Sequence, residues 1–263
     1  MTMFDTLTSR YVLKCTLKSE AGLHIGTGIS SPTTDAPFIR QAGSVFLPGS
    51  SLRGALRSTV ERMTKTLAPG KNLCALFSDS AKGCMTASTS EEQEAALKAG
   101  TLHFCEFCQF FGSTGIASRL KISDALQTSA APKEPVRRDG VGIDRDTETA
   151  SDGIKYDFEV LERLVEFSFT IQLENATSTD FALLYLMLKE MEFGFEVGGK
   201  RSRGLGRLRL EKYEVSFFDN SADPVYGLRQ FLEAGQLKTM TPGDFEAGIL
   251  KPKFTAYFVE EAA

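Results

Sequence analysis

The residues best suited to chemistry on a phosphodiester lie near the start of the chain. A glycine-rich turn, Gly22-Leu-His-Ile-Gly-Thr-Gly28, carries a histidine. Asp35-Ala-Pro-Phe-Ile-Arg40 follows, with one carboxylate two residues before a proline. Leu47-Pro-Gly-Ser-Ser-Leu-Arg-Gly-Ala-Leu-Arg57 then opens a basic helix. A helix start offers backbone N–H groups without helical partners, and Ser50, Ser51, Arg53 and Arg57 add hydroxyls and guanidiniums. Such a cluster suits a sugar-phosphate backbone. Asp35, just upstream, could hold a magnesium ion or help deprotonate a 2′-hydroxyl. The ordinary role of such an aspartate is to cap its own loop. His24 could serve as a general base for RNA cleavage, or pack within its turn.

A second basic cluster is Gly198-Gly-Lys-Arg-Ser-Arg-Gly-Leu-Gly206. Gly199, Lys200, Arg201, Ser202 and Arg203 combine freed backbone N–H groups with cations, which fits sugar-phosphate. Gly194 to Lys200 matches Gly-x4-Gly-Lys. Arg201, however, stands where a nucleotide-hydrolysing loop needs Ser or Thr, and the motif follows a helix rather than a strand.

The cysteines suggest a metal. Cys15 falls inside a strand pattern and reads as a small buried residue. Cys74, Cys84, Cys105 and Cys108 share one irregular region, and Cys105-Glu-Phe-Cys108 has metal-knuckle spacing. Four thiolates around structural zinc would staple a region with little apolar pattern. His103 is an alternative to Cys84 as the fourth ligand.

These groups need elements to hold them. Tyr11–Lys18, Ser118–Asp124, Leu164–Leu173 and Gly206–Val215 alternate apolar and polar residues and predict strands. A helix capped by Ser50 or Ser51 runs to about Leu67, and a short one lies near Glu91–Lys98. Another, capped at Thr179-Asp180, carries Leu183, Leu184, Met187, Leu188 and Met191. The order β–α–β–β–α–β predicts an α+β, ferredoxin-like or RNA-recognition-motif-like core. The polar face of its best strand holds Glu166, Ser168, Thr170 and Gln172, not base-stacking aromatics, so RNA would be held by loops. Pro132–Lys155 is polar, densely charged and long for a loop.

Composition sets outer bounds. The chain has 263 residues, 42% apolar and 24% charged, with net charge −4. That excludes a general polyanion binder. Two basic strips on an acidic chain imply one defined groove. No stretch approaches the roughly 18–20 apolar residues of a membrane span. The start has no signal-peptide run, so a cytoplasmic location without membrane partners is expected.

The three early motifs, with Val141-Gly-Ile-Asp-Arg145, Phe158-Glu-Val160 and the Gly198–Gly206 loop, resemble the RAMP superfamily, and within it the backbone subunit of type III CRISPR effector complexes. The resemblance spans about residues 10 to 215. It implies a core over 1–219, with a zinc-binding insertion at 71–112 and a protruding thumb hairpin at 131–157. The segment 220–263 would extend from it and pack on the core or on a neighbouring subunit. It further implies a guide CRISPR RNA held by His24, Arg40, Ser50, Ser51, Arg53, Arg57 and Gly199–Arg203. Complementary target RNA would be cut by Asp35 with magnesium or another divalent cation. Other RAMP-type subunits and a large effector subunit would be the protein partners. Two other readings are a binding subunit without catalysis and a guide-processing RNase using His24.

Overall fold

The computed structural model describes residues 5–71, 84, 91, 104–113, 115–129, 132–219 and 223–259. Cys74, His103 and all but Glu91 of the helix expected near Glu91–Lys98 lie outside them. The structure is a mixed α/β arrangement around an antiparallel sheet. Its strands are β1 (Ser9–Ser19), β2 (Arg40–Gln41), β3 (Ser44–Leu47), β4 (Leu120–Ile122) and β5 (Ala125–Gln127). A separate hairpin joins β6 (Val136–Ile143) to β7 (Ala150–Val160). The sheet continues with β8 (Glu166–Glu174), β9 (Phe195–Glu196), β10 (Arg207–Asp219) and β11 (Lys238–Met240). Its order is β11-β10-β1-β8-β5-β3-β2, with β4 also on β8 and β9 on β10.

Alternation decides which face of the sheet is dry. Tyr11, Leu13, Cys15 and Leu17 of β1 face the same way as Phe167, Phe169, Ile171 and Leu173 of β8, and all are buried. On β10 the inward residues change parity, from Leu208 and Leu210 to Tyr213 and Val215. A bulge explains it: Leu17 faces Leu210 but Thr16 faces Lys212, so Glu211 is extra. Burying each large side chain here stabilises by about 1.5–3 kcal/mol.

Helices α1 (Gly49–Leu67), α2 (Glu106–Phe111) and α3 (Ser178–Phe193) contribute to this core. α1 presents Leu52, Leu56 and Val60 at helical spacing. α3 is apolar nearly all round, because it lies between the sheet, α1 and the C-terminal helices. Its cap differs from the expected Thr179-Asp180. Thr177 is the N-cap, and its Oγ1 accepts the Asp180 N–H at 3.2 Å while Asp180 accepts the Thr177 N–H at 2.8 Å. The expected serine cap of α1 is also corrected. Pro48 is the N-cap, and Ser50 and Ser51 lie inside the helix.

Beyond β10 come α4 (Pro224–Ala234), β11, α5 (Pro242–Phe245), a π-turn at Glu246–Leu250 and α6 (Lys251–Phe258). Phe245, Leu250, Tyr257 and Phe258 are buried in the same core. Tyr257 also hydrogen-bonds Glu106 of α2. No helix among the described residues is long and apolar enough to cross a membrane.

Candidate nucleic-acid interface

Three chain segments are woven onto the base of the β6–β7 hairpin. The Leu23 N–H donates to the Leu161 carbonyl at 2.8 Å and the Leu23 carbonyl accepts the Leu161 N–H at 2.9 Å; the Glu159 N–H donates to the Ala36 carbonyl at 3.0 Å. The Gly199 N–H donates to the His24 carbonyl at 2.8 Å, and the Gly206 N–H to the Gly22 carbonyl at 2.8 Å. Asp35, Arg40, His24 and the Gly199–Arg203 loop are thereby gathered from positions far apart in sequence.

Asp35 is exposed and fixed by a reciprocal pair. Its N–H donates to Asp157 Oδ1 at 2.8 Å, and its own Oδ2 accepts the Asp157 N–H at 3.0 Å. Oδ1 of Asp35 has no hydrogen-bond partner among the described residues and is free to meet a cation or a hydroxyl. The Asp157 carboxyl is held below its ordinary value, first by the Thr34 hydroxyl, then by the Asp35 N–H, with Arg137 adding charge. Arg137 Nε lies 3.3 Å from Asp157, and its guanidinium also donates to the Thr33 carbonyl. Arg40 is engaged by Glu159 at 2.8 Å. Burial opposes ionisation of Glu159, but hydrogen bonds from Arg40 and the Phe38 N–H outweigh it and hold its carboxyl below 4.5.

His24 is 6% exposed and packs edge-on against Phe158. Its Nδ1 lies 2.7 Å from the Glu159 carbonyl oxygen. A carbonyl only accepts, so Nδ1 carries a proton. Gly198, at φ +85°, lets the glycine loop pass His24 closely, since a Cβ there would sit 2.3 Å from the His24 carbonyl oxygen. Arg201, Ser202 and Arg203 form an exposed 3-10 turn after Lys200, which is itself left-handed at φ +59°. Lys200 Nζ lies over the rings of Tyr156 and Phe158, 4.5 and 4.2 Å from their centroids, and Arg203 donates to the Tyr156 hydroxyl. Gly140, across the hairpin, leaves room for the Tyr156 ring, because a Cβ would meet it at 2.4 Å.

The start of α1 is a different locality. Gly49, Ser50, Arg53, Ser118 and Lys121 line an open cavity of about 300 Å³. The Gly49 N–H is taken by Asp124 Oδ1 at 2.8 Å, so one of the helix-start donors is spent. Ser50 and Arg53 remain exposed and Ser51 half-buried. Arg57 turns elsewhere: its guanidinium binds Glu61 at 2.7 Å and the Gly112 carbonyl at 2.6 Å, tying α1 to α2.

Cys84, Cys105 and Cys108 bring their sulfurs within 4.8 Å of one another, and the Cys105 N–H donates to Cys84 Sγ at 3.0 Å. Three thiols this close could hold a metal ion, and a backbone N–H aimed at sulfur favours the thiolate that a metal needs. Cys15 stands apart in β1, its thiol pushed up by burial.

Sequence reasoning missed Tyr156, Asp157 and Arg137, and noted Glu159 only within the Phe158-Glu-Val160 motif, without a role. The signal was Lys155-Tyr-Asp-Phe-Glu-Val160, where charged and apolar residues alternate as in a strand.

An antiparallel sheet with a basic glycine loop and a hairpin whose base holds the exposed Asp35 defines a class. The model of the RAMP superfamily matches residues 16–209, and the chain belongs to that superfamily. It is also similar to the CRISPR system Cms endoribonuclease Csm3 of Methanocaldococcus jannaschii. The two are 25% identical over 227 residues, covering 80% of this chain and 82% of the relative.

Proposed function

We propose that the protein is a backbone subunit of a type III CRISPR effector complex, binding guide RNA along its sugar-phosphate backbone and cleaving complementary target RNA through Asp35 with a divalent cation. The observation that carries the reading is Asp35 itself: one carboxylate oxygen is pinned at the hairpin base while the other is open. The family match and the relative's name as an endoribonuclease support it. In this reading the β6–β7 hairpin is the thumb, and Lys200–Arg203 with Ser50, Ser51 and Arg53 grip phosphates. Base pairing supplies sequence specificity. The core is ferredoxin-like, built from β1, α1, β4 with β5, β8, α3 and β10, which the sheet order supports. The three cysteines and a fourth ligand hold structural zinc. Magnesium or a similar cation would meet Asp35 and polarise the reacting phosphate.

The same backbone bonds would suit an Asp35 that only shapes its loop, which favours a non-catalytic binding subunit as the second reading. His24, enclosed by Phe158, Gly26 and Gly199, packs rather than cuts. The deciding experiment is cleavage of a complementary RNA by the reconstituted complex, with wild type and Asp35→Ala, with and without magnesium. Loss of cutting with target binding retained is expected. Unchanged cutting by Asp35→Ala would remove Asp35 from the mechanism. Absence of cutting by wild type would establish the binding-only reading.

A further inference from the structure

We propose that a pocket at the outer base of the hairpin, walled by Lys133, Arg138 and Arg163, binds a phosphodiester of the same RNA that reaches the glycine loop. The proposal rests on the RNA-binding reading above. Strand register begins the argument. Arg138 pairs with Phe158 and Gly140 with Tyr156, so Arg138, Tyr156 and Phe158 share one face of the hairpin. Lys200 and Arg203 meet that face at its rings. Asp139 pairs with Asp157 on the opposite face, where Asp35 lies. One side of the hairpin is thus aromatic and basic, while on the other Asp139, Asp157 and Glu159 stand among Arg137 and Lys155, which pair with Asp139 and Asp157.

The pocket extends the basic side. It has a volume of about 350 Å³, and Gly22, Glu162 and Leu164 complete its lining. Lys133 Nζ donates to the Arg163 backbone carbonyl at 3.2 Å, which fixes the ammonium at the pocket wall. Among the described residues no carboxylate lies within ion-pair distance of Lys133, Arg138 or Arg163. Arg40, Arg57, Arg137 and Arg207 each have at least one. Three cations against the one Glu162 carboxylate leave the concavity with excess positive charge, which an anion would neutralise. Gly22 accepts the Gly206 N–H, so the residue lining the pocket also seats the glycine loop. A strand held at Lys200–Arg203 can therefore run along this face into the pocket. Two guanidiniums and an ammonium suit phosphate oxygens, bidentate from arginine and single-point from lysine.

The test is the salt dependence of binding of a uridine-rich single-stranded RNA to the full chain. For single strands the slope of log affinity against log salt is about −0.7 per neutralised phosphate. The variant Lys133→Ala/Arg138→Ala/Arg163→Ala should flatten that slope by roughly 0.7–2, one to three phosphates' worth. Arg138→Lys/Arg163→Lys should keep it. These residues are exposed, so folding should be unaffected, and circular dichroism checks it. If wild type binds RNA and Lys200→Ala/Arg203→Ala weakens it, an unchanged slope in the triple variant overturns the pocket and leaves the RNA reading intact. If the triple variant instead loses only self-association, the pocket takes a protein carboxylate and the proposal fails. If wild type binds no RNA, the RNA reading fails first and the pocket with it.

Discussion

Gly198→Ala should destabilise the protein more than Gly204→Ala, although both glycines are left-handed, at φ +85° and +81°. An alanine in this region costs about 1–2 kcal/mol of backbone strain. Loss of unfolded-chain entropy returns about 0.4–1 kcal/mol. Gly204→Ala should therefore cost roughly 0–1.6 kcal/mol, because nothing lies within 4 Å of a Cβ there. At Gly198 a Cβ would sit 2.3 Å from the His24 carbonyl oxygen, which is backbone and cannot swing away. Overpacking of this kind adds about 1–3 kcal/mol. The displacement also removes the Gly199 N–H to His24 bond and shifts Lys200–Arg203. Urea denaturation of the two variants and wild type measures the difference. With slopes near 3 kcal/mol per molar, the midpoints should separate by roughly 0.3–1 M, with m unchanged. Equal midpoints, or a larger loss at Gly204, would refute the seating of the loop on His24.

Other outcomes follow from the same geometry. Arg119→Ala removes the guanidinium 3.1 Å from Asp180, which is 1% exposed, and leaves that buried carboxylate without its ion pair, held among the described residues only by the Thr177 N–H and hydroxyl. The loss should be about 3–5 kcal/mol by chemical denaturation, and a loss under about 1 kcal/mol would contradict it. Glu159 has a folded pKa below 4.5, so its contribution is present above 4.5 and lost as pH falls through the lowered value. The melting temperatures of wild type and Glu159→Gln should differ at pH 7 and converge on acidification; a gap that persists in acid would count against the Arg40–Glu159–Phe38 bonds. Cys105→Ser should abolish stoichiometric zinc, measured by elemental analysis, and lower the melting temperature. Wild type purified without zinc from zinc-containing medium would refute the zinc assignment.

Much of this architecture was legible in the chain. Period-two alternation located β1, β8 and β10, and helical spacing located α3, because one-sided burial writes its period directly into the sequence. The glycine-rich turn, Asp35 and the basic loop stood out for the same reason that they matter: Gly, Asp and Arg there serve backbone geometry and charge, not a core. Capping was misplaced. Whether Pro48 or a serine caps the start of α1 depends on competing acceptors such as Asp124, which takes the Gly49 N–H from the turn between β4 and β5. The family resemblance implied a hairpin at 131–157, but local periodicity did not show its strands, because they pair with each other and with Ala36 and Leu23, far away in sequence. Only the tertiary structure decided that Asp35 would be pinned by Asp157 and that Arg57 would serve α2. It alone decided that Lys200 would lie over Tyr156 and Phe158. Those pairings span long sequence separations, and a local pattern carries no information about which distant group will be within 3 Å.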